Sequence, residues 1–164
     1  MALKAGFALE DITPPPGSLM AAFPRGEEGT LETDRPFVRS GDGRIARRAT
    51  GARDPLQARA LALSNGERTV CVCTCDLTCI RTIDVDRIRE VAGQKQPEFG
   101  GPALAVAASH THSSAETSYL FGNTPEDPWV QEMDRRIARA ATRAVSIMRP
   151  VSLRAGSQTV ALNH

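Results

Sequence analysis

Between Leu56 and Ser109 the order of local patterns leaves few topologies open. LQARALAL ends at Ser64-Asn65-Gly66, and an Asn-Gly pair between two apolar runs is the strongest short-range hairpin signal, so RTVCVCTCDL returns antiparallel. IDVDRIREVAG then offers Ile83, Ile88 and Val91 with charged residues between them, a short helix stopping at Gly93, and ALAVAASH follows as another strand. Strand, helix and strand in that order predict two parallel neighbours joined by a right-handed crossover, with their carboxyl ends at one sheet edge.

The flanking segments extend this frame. LKAGFALEDI reads as a strand that stops at Thr13-Pro14-Pro15-Pro16-Gly17, which neither a strand interior nor a helix can contain. From Ser18 to Arg53 no period of 2 or 3.6 is visible, so a long irregular loop is expected. DPWVQEMDRRIARAATRAVSIM places Val130, Met133, Ile137, Ala141, Ala144 and Met148 on one face of an amphipathic helix that Pro150 stops. SLRAGSQTVAL reads as a last strand. The expectation is a single α/β domain over residues 1–164, a mixed sheet with two principal helices packed on it.

A net charge of +1 provides no field for nucleic acid or anionic membrane. Seven arginines between Arg35 and Arg59 have only Phe37 nearby, so they read as a solvated basic loop without the stacking aromatics of a nucleic-acid site. With no run of about 18 apolar residues and no signal-peptide pattern, no membrane span is expected and the chain reads as cytoplasmic. Cys71, Cys73, Cys75 and Cys79 lie within nine residues, which suits a reducing compartment better than a disulfide framework. CxCxC lacks the CxxC spacing of structural zinc, and alternation puts Cys71, Cys73 and Cys75 on one strand face as small core residues.

Chemistry concentrates at AASHTHSSAET. In an extended chain residues i and i+2 point the same way, so His110 and His112 can project together from the carboxyl end of a strand, where open α/β sheets bind ligands. Imidazole suits Zn²⁺, but a catalytic zinc typically keeps three protein ligands, and two histidines fall short. The alternative is a cap for the following turn and a surface hydrogen bond. Asp76, at the end of the neighbouring strand, is a candidate third ligand or an orienting partner for an imidazole, and equally a turn-initiating Asp. No GxSxG elbow, GxGxxG or phosphate loop is present, and no serine has a triad around it.

AGFALEDITPPPG, LMAAF, DPLQARALALSNG, a strand ending in Asp76-Leu77, AASHTHSSAE and GSQTVALN, in this order, resemble the N-terminal part of the neutral and alkaline non-lysosomal ceramidases. The resemblance covers nearly the whole chain and implies a zinc-dependent amidohydrolase, with one zinc, that cleaves an N-acyl amide such as ceramide to sphingosine and a fatty acid. It implies that His110 is a zinc ligand and that His112 lies beside the metal, contacting substrate or the developing oxyanion. The family usually continues HTHSGP, where this chain has Ser113-Ser114-Ala115, and tends to show Asn-Arg near the end, where Asn163 is followed by His164; His164 can donate a hydrogen bond there but not arginine's bidentate fork. The family has secreted members, and its remaining ligands, a histidine, a glutamate and a tyrosine, lie beyond the matching region. A partial site is therefore expected, with an unpaired sheet edge and an uncovered apolar face that favour self-association or pairing with the missing remainder.

Two further readings stay open. One is a non-catalytic binding or assembly module whose histidines serve only hydrogen bonding. The other is an unrelated small metallohydrolase in which His164 completes a three-histidine site.

Overall fold

The computed structural model describes residues 2–21, 37–39, 45–120 and 123–159. The elements run β1 (Lys4–Asp11), β2 (Leu19–Met20), β3 (Phe37–Arg39), β4 (Ile45–Arg48), β5 (Gln57–Ser64), β6 (Thr69–Cys75), α1 (Thr82–Gly93), β7 (Leu104–Ala108), α2 (Pro128–Ser146) and β8 (Arg149–Pro150). The main sheet has the order β7-β6-β5-β1-β8, with β6 and β7 parallel and the other pairs antiparallel. This is the mixed α/β arrangement expected from the strand-helix-strand order.

The hairpin forms where the Asn-Gly pair stands. Gly66 takes φ 92, which a side chain would strain, and the Asn65 side-chain oxygen accepts from the backbone N–H groups of Glu67 and Arg68 at 3.0 and 2.8 Å. Register follows, with Leu61 opposite Val72 and Ala60 opposite Cys73.

One face of the sheet is built from small residues. Ala58, Ala60, Ala62, Cys71, Cys73 and Cys75 are all buried there, as the alternation predicts for the cysteines. Burial pushes the Cys75 thiol up to about 12, so it packs as a neutral apolar group. Helix α2 lies on this face through Val130, Met133, Ile137, Ala141 and Ala144, all buried, with Pro128 in its first turn. Its Arg139 and Arg143 guanidinium groups each reach Glu10 of β1 at 3.6 Å.

Three expectations need correction. Part of the segment 18–53 is ordered: β2, β4 and β3 make a second, three-stranded antiparallel sheet. Strands of two to four residues are too short for a period to be counted in sequence. The described part of the expected last strand is irregular: residues 151–159 have no regular structure, and instead Arg149 and Pro150 pair with Ala5 and Lys4 at the sheet edge. An edge is where a strand tolerates proline. In α1, Ile83 is 48% exposed while Asp84 is buried with Ile88 and Ala92, because the Asp84 carboxylate accepts from the Arg81 backbone N–H at 3.1 Å and closes the first turn.

The opposite edge of the sheet is also covered at one point. The Arg89 side chain of α1 donates through Nε and Nη2 to the Leu104 carbonyl that opens β7, at 3.2 and 3.0 Å. Among the described residues no helix is long and apolar enough to cross a membrane.

Gly6 is the tightest point of the helix-sheet contact, since a Cβ there would lie 1.9 Å from the Ala144 carbonyl oxygen. Gly6→Ala should destabilise the protein by at least about 1–3 kcal/mol, the cost of overpacking. Gly51→Ala, with nothing within 4 Å of the new methyl, should leave stability nearly unchanged. Urea unfolding midpoints of the two variants check this contrast.

Candidate functional site

The parallel pairing of β6 and β7 brings the loop after each strand to one edge. Ser109 continues the ladder by donating its backbone N–H to the Cys75 carbonyl at 2.8 Å, and there the extended chain ends. His110 has φ 62, in the left-handed region that few residues with a Cβ adopt. Strand alternation therefore does not aim the two imidazoles. The turn does.

Cross-links between the two loops fix that turn. Thr78 donates its hydroxyl to the Thr111 carbonyl at 2.7 Å and its backbone N–H to Ser114 Oγ at 3.1 Å, while the Thr117 hydroxyl donates to the Cys79 carbonyl at 2.7 Å. Arg81 adds a guanidinium bond to the Ser118 carbonyl at 3.0 Å. From the other side the small sheet grips the same loop, with Ala21 N–H on the Ser114 carbonyl and Glu116 N–H on the Leu19 carbonyl, at 2.9 and 2.8 Å.

His110 Nδ1 lies 2.7 Å from the Thr78 carbonyl oxygen, which can only accept, so Nδ1 carries the proton. In the neutral ring Nε2 is then a lone pair, and it faces His112 Nε2 at 3.2 Å. His112 Nε2 must supply the hydrogen of that contact. The rings meet edge to face with centroids 4.8 Å apart, and both side chains are solvent-exposed. Two imidazole nitrogens thus converge on one accessible point.

Asp76 does not join them. Its Oδ1 takes a bond from Arg59 Nη1 at 2.7 Å and its Oδ2 takes the Gln57 backbone N–H at 3.1 Å, and the Arg59 bond foremost holds its carboxyl below the usual range. Among the described residues no group of three His, Cys, Asp or Glu side chains is placed to hold a metal ion. His164, and with it the three-histidine alternative, lies outside the described residues. An open groove of about 680 Å³ runs beside the histidine loop, lined by Pro14, Leu19, Met20, Leu56, Asp76 and Thr111 among others.

Under the loop lies a polar layer that the patterning did not single out. Glu116, Asp84 and Asp134 are fully buried. The Tyr119 hydroxyl donates to Asp84 Oδ1, Ser118 donates its N–H and hydroxyl to Glu116 Oε1, and Arg87 Nη1 bonds both Asp134 Oδ2 and the Pro125 carbonyl. Glu116 Oε2 and Asp134 Oδ1 have no hydrogen-bond partner among the described residues. Burial, with the Asp84 charge second, pushes the Asp134 carboxyl up to about 7 in spite of Arg87. A signal existed: Asp84 falls four residues before Ile88, and Asp134 four after Val130, on the apolar face of each helix.

No family model matches the chain, and no curated protein matches it in sequence. Solved structures do. The fold is shared with neutral ceramidase. A chain described as neutral ceramidase from Pseudomonas aeruginosa superposes with a TM-score of 0.66 over 92% of this chain at 18% identity. Another, described as ceramidase complexed with C2, gives 0.63 over the same share at 16% identity. The chain spans 22% of each ceramidase chain, so the likeness is to one part of a larger molecule.

The Asp134 carboxyl gives a pH prediction with a definite sign. Its folded value, about 7, is above its unfolded value near 3.8, so its contribution is fully present below about 4 and is lost as pH rises through about 7. Asp76 has the opposite sign, and its contribution is lost only below that window. Wild type should lose stability between pH 4.5 and 8, on the order of a few kcal/mol, and Asp134→Asn should flatten that slope. Urea unfolding of both proteins across this range measures it.

Proposed function

We propose that the chain carries part of a ceramidase-like, zinc-dependent amidohydrolase centre, with His110 as a metal ligand and His112 as its catalytic neighbour. The observation that carries this reading is the His110 ring, held through Nδ1 by the Thr78 carbonyl so that Nε2 is offered as a lone pair at an accessible point shared with His112. An imidazole oriented through its other nitrogen by a backbone carbonyl is the usual arrangement of a metal-binding histidine. Left-handed backbone at a residue with a side chain also concentrates at functional sites. The reading takes residues 1–164 as one unit of a larger catalytic domain.

His110 would hold the ion through Nε2. Zinc, when bound, polarises an amide carbonyl and brings the pKa of a water towards neutrality. His112 contributes an N–H at the same place: its Nε2 now donates to His110 Nε2, and once that lone pair is engaged the N–H can serve a carbonyl oxygen on which negative charge develops. The neighbouring groove, with Pro14, Leu19, Met20 and Leu56 along it, offers apolar walls for the acyl part of an N-acyl amide such as ceramide. In sequence His164 follows Asn163, where the family tends to show arginine, and would act as a hydrogen-bond donor.

A second reading, a module that keeps the fold without the reaction, is favoured by one observation: Asp76 is engaged by Arg59 and Gln57, leaving two candidate donors among the described residues where a catalytic zinc needs three.

Zinc titration of the metal-free chain by calorimetry should show one weak site with release of protons, weakened at least about 10-fold in His110→Ala and less in His112→Ala. Hydrolysis of a short-chain ceramide with added Zn²⁺ should be negligible for wild type and both variants alike, as a partial site requires. Zinc binding indifferent to both substitutions would overturn the hydrolase reading and leave the module.

A further inference from the structure

Where α1 and α2 lie side by side they leave a cleft of about 170 Å³, lined by Val91, Lys95, Arg135, Ala138, Arg139 and Thr142. Half of these side chains are cations and none is acidic. Arg135, Ala138, Arg139 and Thr142 are three and four residues apart, so they form one stripe of α2. Ala138 is buried and Val91 half-buried, whereas Lys95, Arg135 and Arg139 are exposed. The cleft thus has an apolar floor under a charged rim.

The carboxylates within reach do not neutralise that rim. Glu132 is shared among Arg135, Arg136 and Arg139, at 3.0, 2.9 and 3.6 Å, and Glu10 between Arg139 and Arg143, at 3.6 Å each. At 3.6 Å the Arg139 contacts are ion pairs without hydrogen bonds, so among the described residues its guanidinium donates to no acceptor. Arg135 uses only its Nε, on Glu132, and Lys95 has neither an ion pair nor a side-chain hydrogen bond among the described residues. An arginine has five N–H donors and a lysine three, so most of the donors around the cleft are unengaged.

We infer that the cleft binds a phosphate group, carried either by a soluble molecule or by a lipid headgroup. A phosphate monoester carries a charge of about −1.5 to −2 at pH 7 and three acceptor oxygens, which suits two guanidinium forks and an ammonium. A carboxylate, with one charge and two oxygens, leaves one of the three cations unmatched. Space agrees, since one water needs only roughly 10–15 Å³ of such volume and a tetrahedral oxyanion replaces a few waters. The carboxyl end of α1 is close by, but its partial charge of about −0.5 offsets only part of three unit charges. The site is separate from the histidines: α1 starts at their edge of the sheet and runs away from it, and Lys95 follows Thr82 by roughly 20 Å at the rise of a helix. The inference therefore does not rest on the function proposed above.

Calorimetric titration of the metal-free full chain with glycerol 3-phosphate at low salt, at about pH 7.5 where the phosphate is mostly dianionic, tests this. The expected result is one saturable site, weakened about 10-fold or more by Arg139→Gln and by Lys95→Gln. Arg139→Lys, which keeps the charge and loses the fork, should fall between wild type and Arg139→Gln. Arg143→Gln removes the same charge from α2 outside the cleft and should change affinity by less than about 2-fold. Glutamine is a good helix former, and Lys95 lies past the end of α1 without an ion pair, so one variant keeps the test standing if the other disturbs its helix. Flotation with phosphatidylcholine vesicles that contain phosphatidic acid, a monoester, or phosphatidylserine, a diester, separates the sources. Binding to phosphatidic acid alone, weakened by the same two variants, identifies a headgroup; binding of glycerol 3-phosphate with no vesicle binding identifies a soluble ester. The proposal is overturned if neither glycerol 3-phosphate nor phosphatidic acid is bound, if the two vesicles bind alike, or if Arg143→Gln weakens binding as much as Arg139→Gln, each of which reports a diffuse basic surface or none.

Discussion

A single carbonyl oxygen, that of Thr78, organises the edge where the histidines stand. It can accept but not donate, so it fixes the proton on His110 Nδ1 and turns the opposite nitrogen outward. Everything nearby keeps that oxygen in place. The parallel register of β6 and β7 sets the two loops side by side, and Thr78 itself is tied to Thr111 and Ser114 through its hydroxyl and N–H. The short β2 strand holds Ser114 and Glu116 from the far side, which explains why an ordered piece exists inside a segment otherwise poor in pattern.

This support is costly in the usual terms of folding. Three carboxyl groups sit fully buried beneath the loop, two of them with an oxygen that lacks a partner among the described residues. Burying a polar group without compensation costs about 1–3 kcal/mol, so the layer weakens the fold while holding the loop through Tyr119, Ser118 and Arg87. Proteins commonly place such concessions where position matters more than stability.

How much of this was legible in the sequence depended on the range of the forces involved. The hairpin, the crossover and α2 were legible because Asn65-Gly66 and the helical spacing of Val130, Met133, Ile137 and Ala141 are local signals that tertiary structure did not override. Over its described residues, 152–159, the final strand was misread because alternation says nothing of whether a partner strand is at hand. At the candidate site the pairing of His110 with His112 was legible, but through the wrong geometry: an extended chain was expected, and a left-handed turn pinned from another loop brings the rings together. Arg59 capturing Asp76 was beyond reach, since the two are 17 residues apart and meet only through register.

The two borders of the main sheet lead to one more consequence. Pro150 has no N–H to offer beyond β8, and Arg89 occupies the carbonyl at the start of β7. Templating of a stranger's strand is thereby hindered at one position on each margin, Pro150 on one and the Leu104 carbonyl on the other.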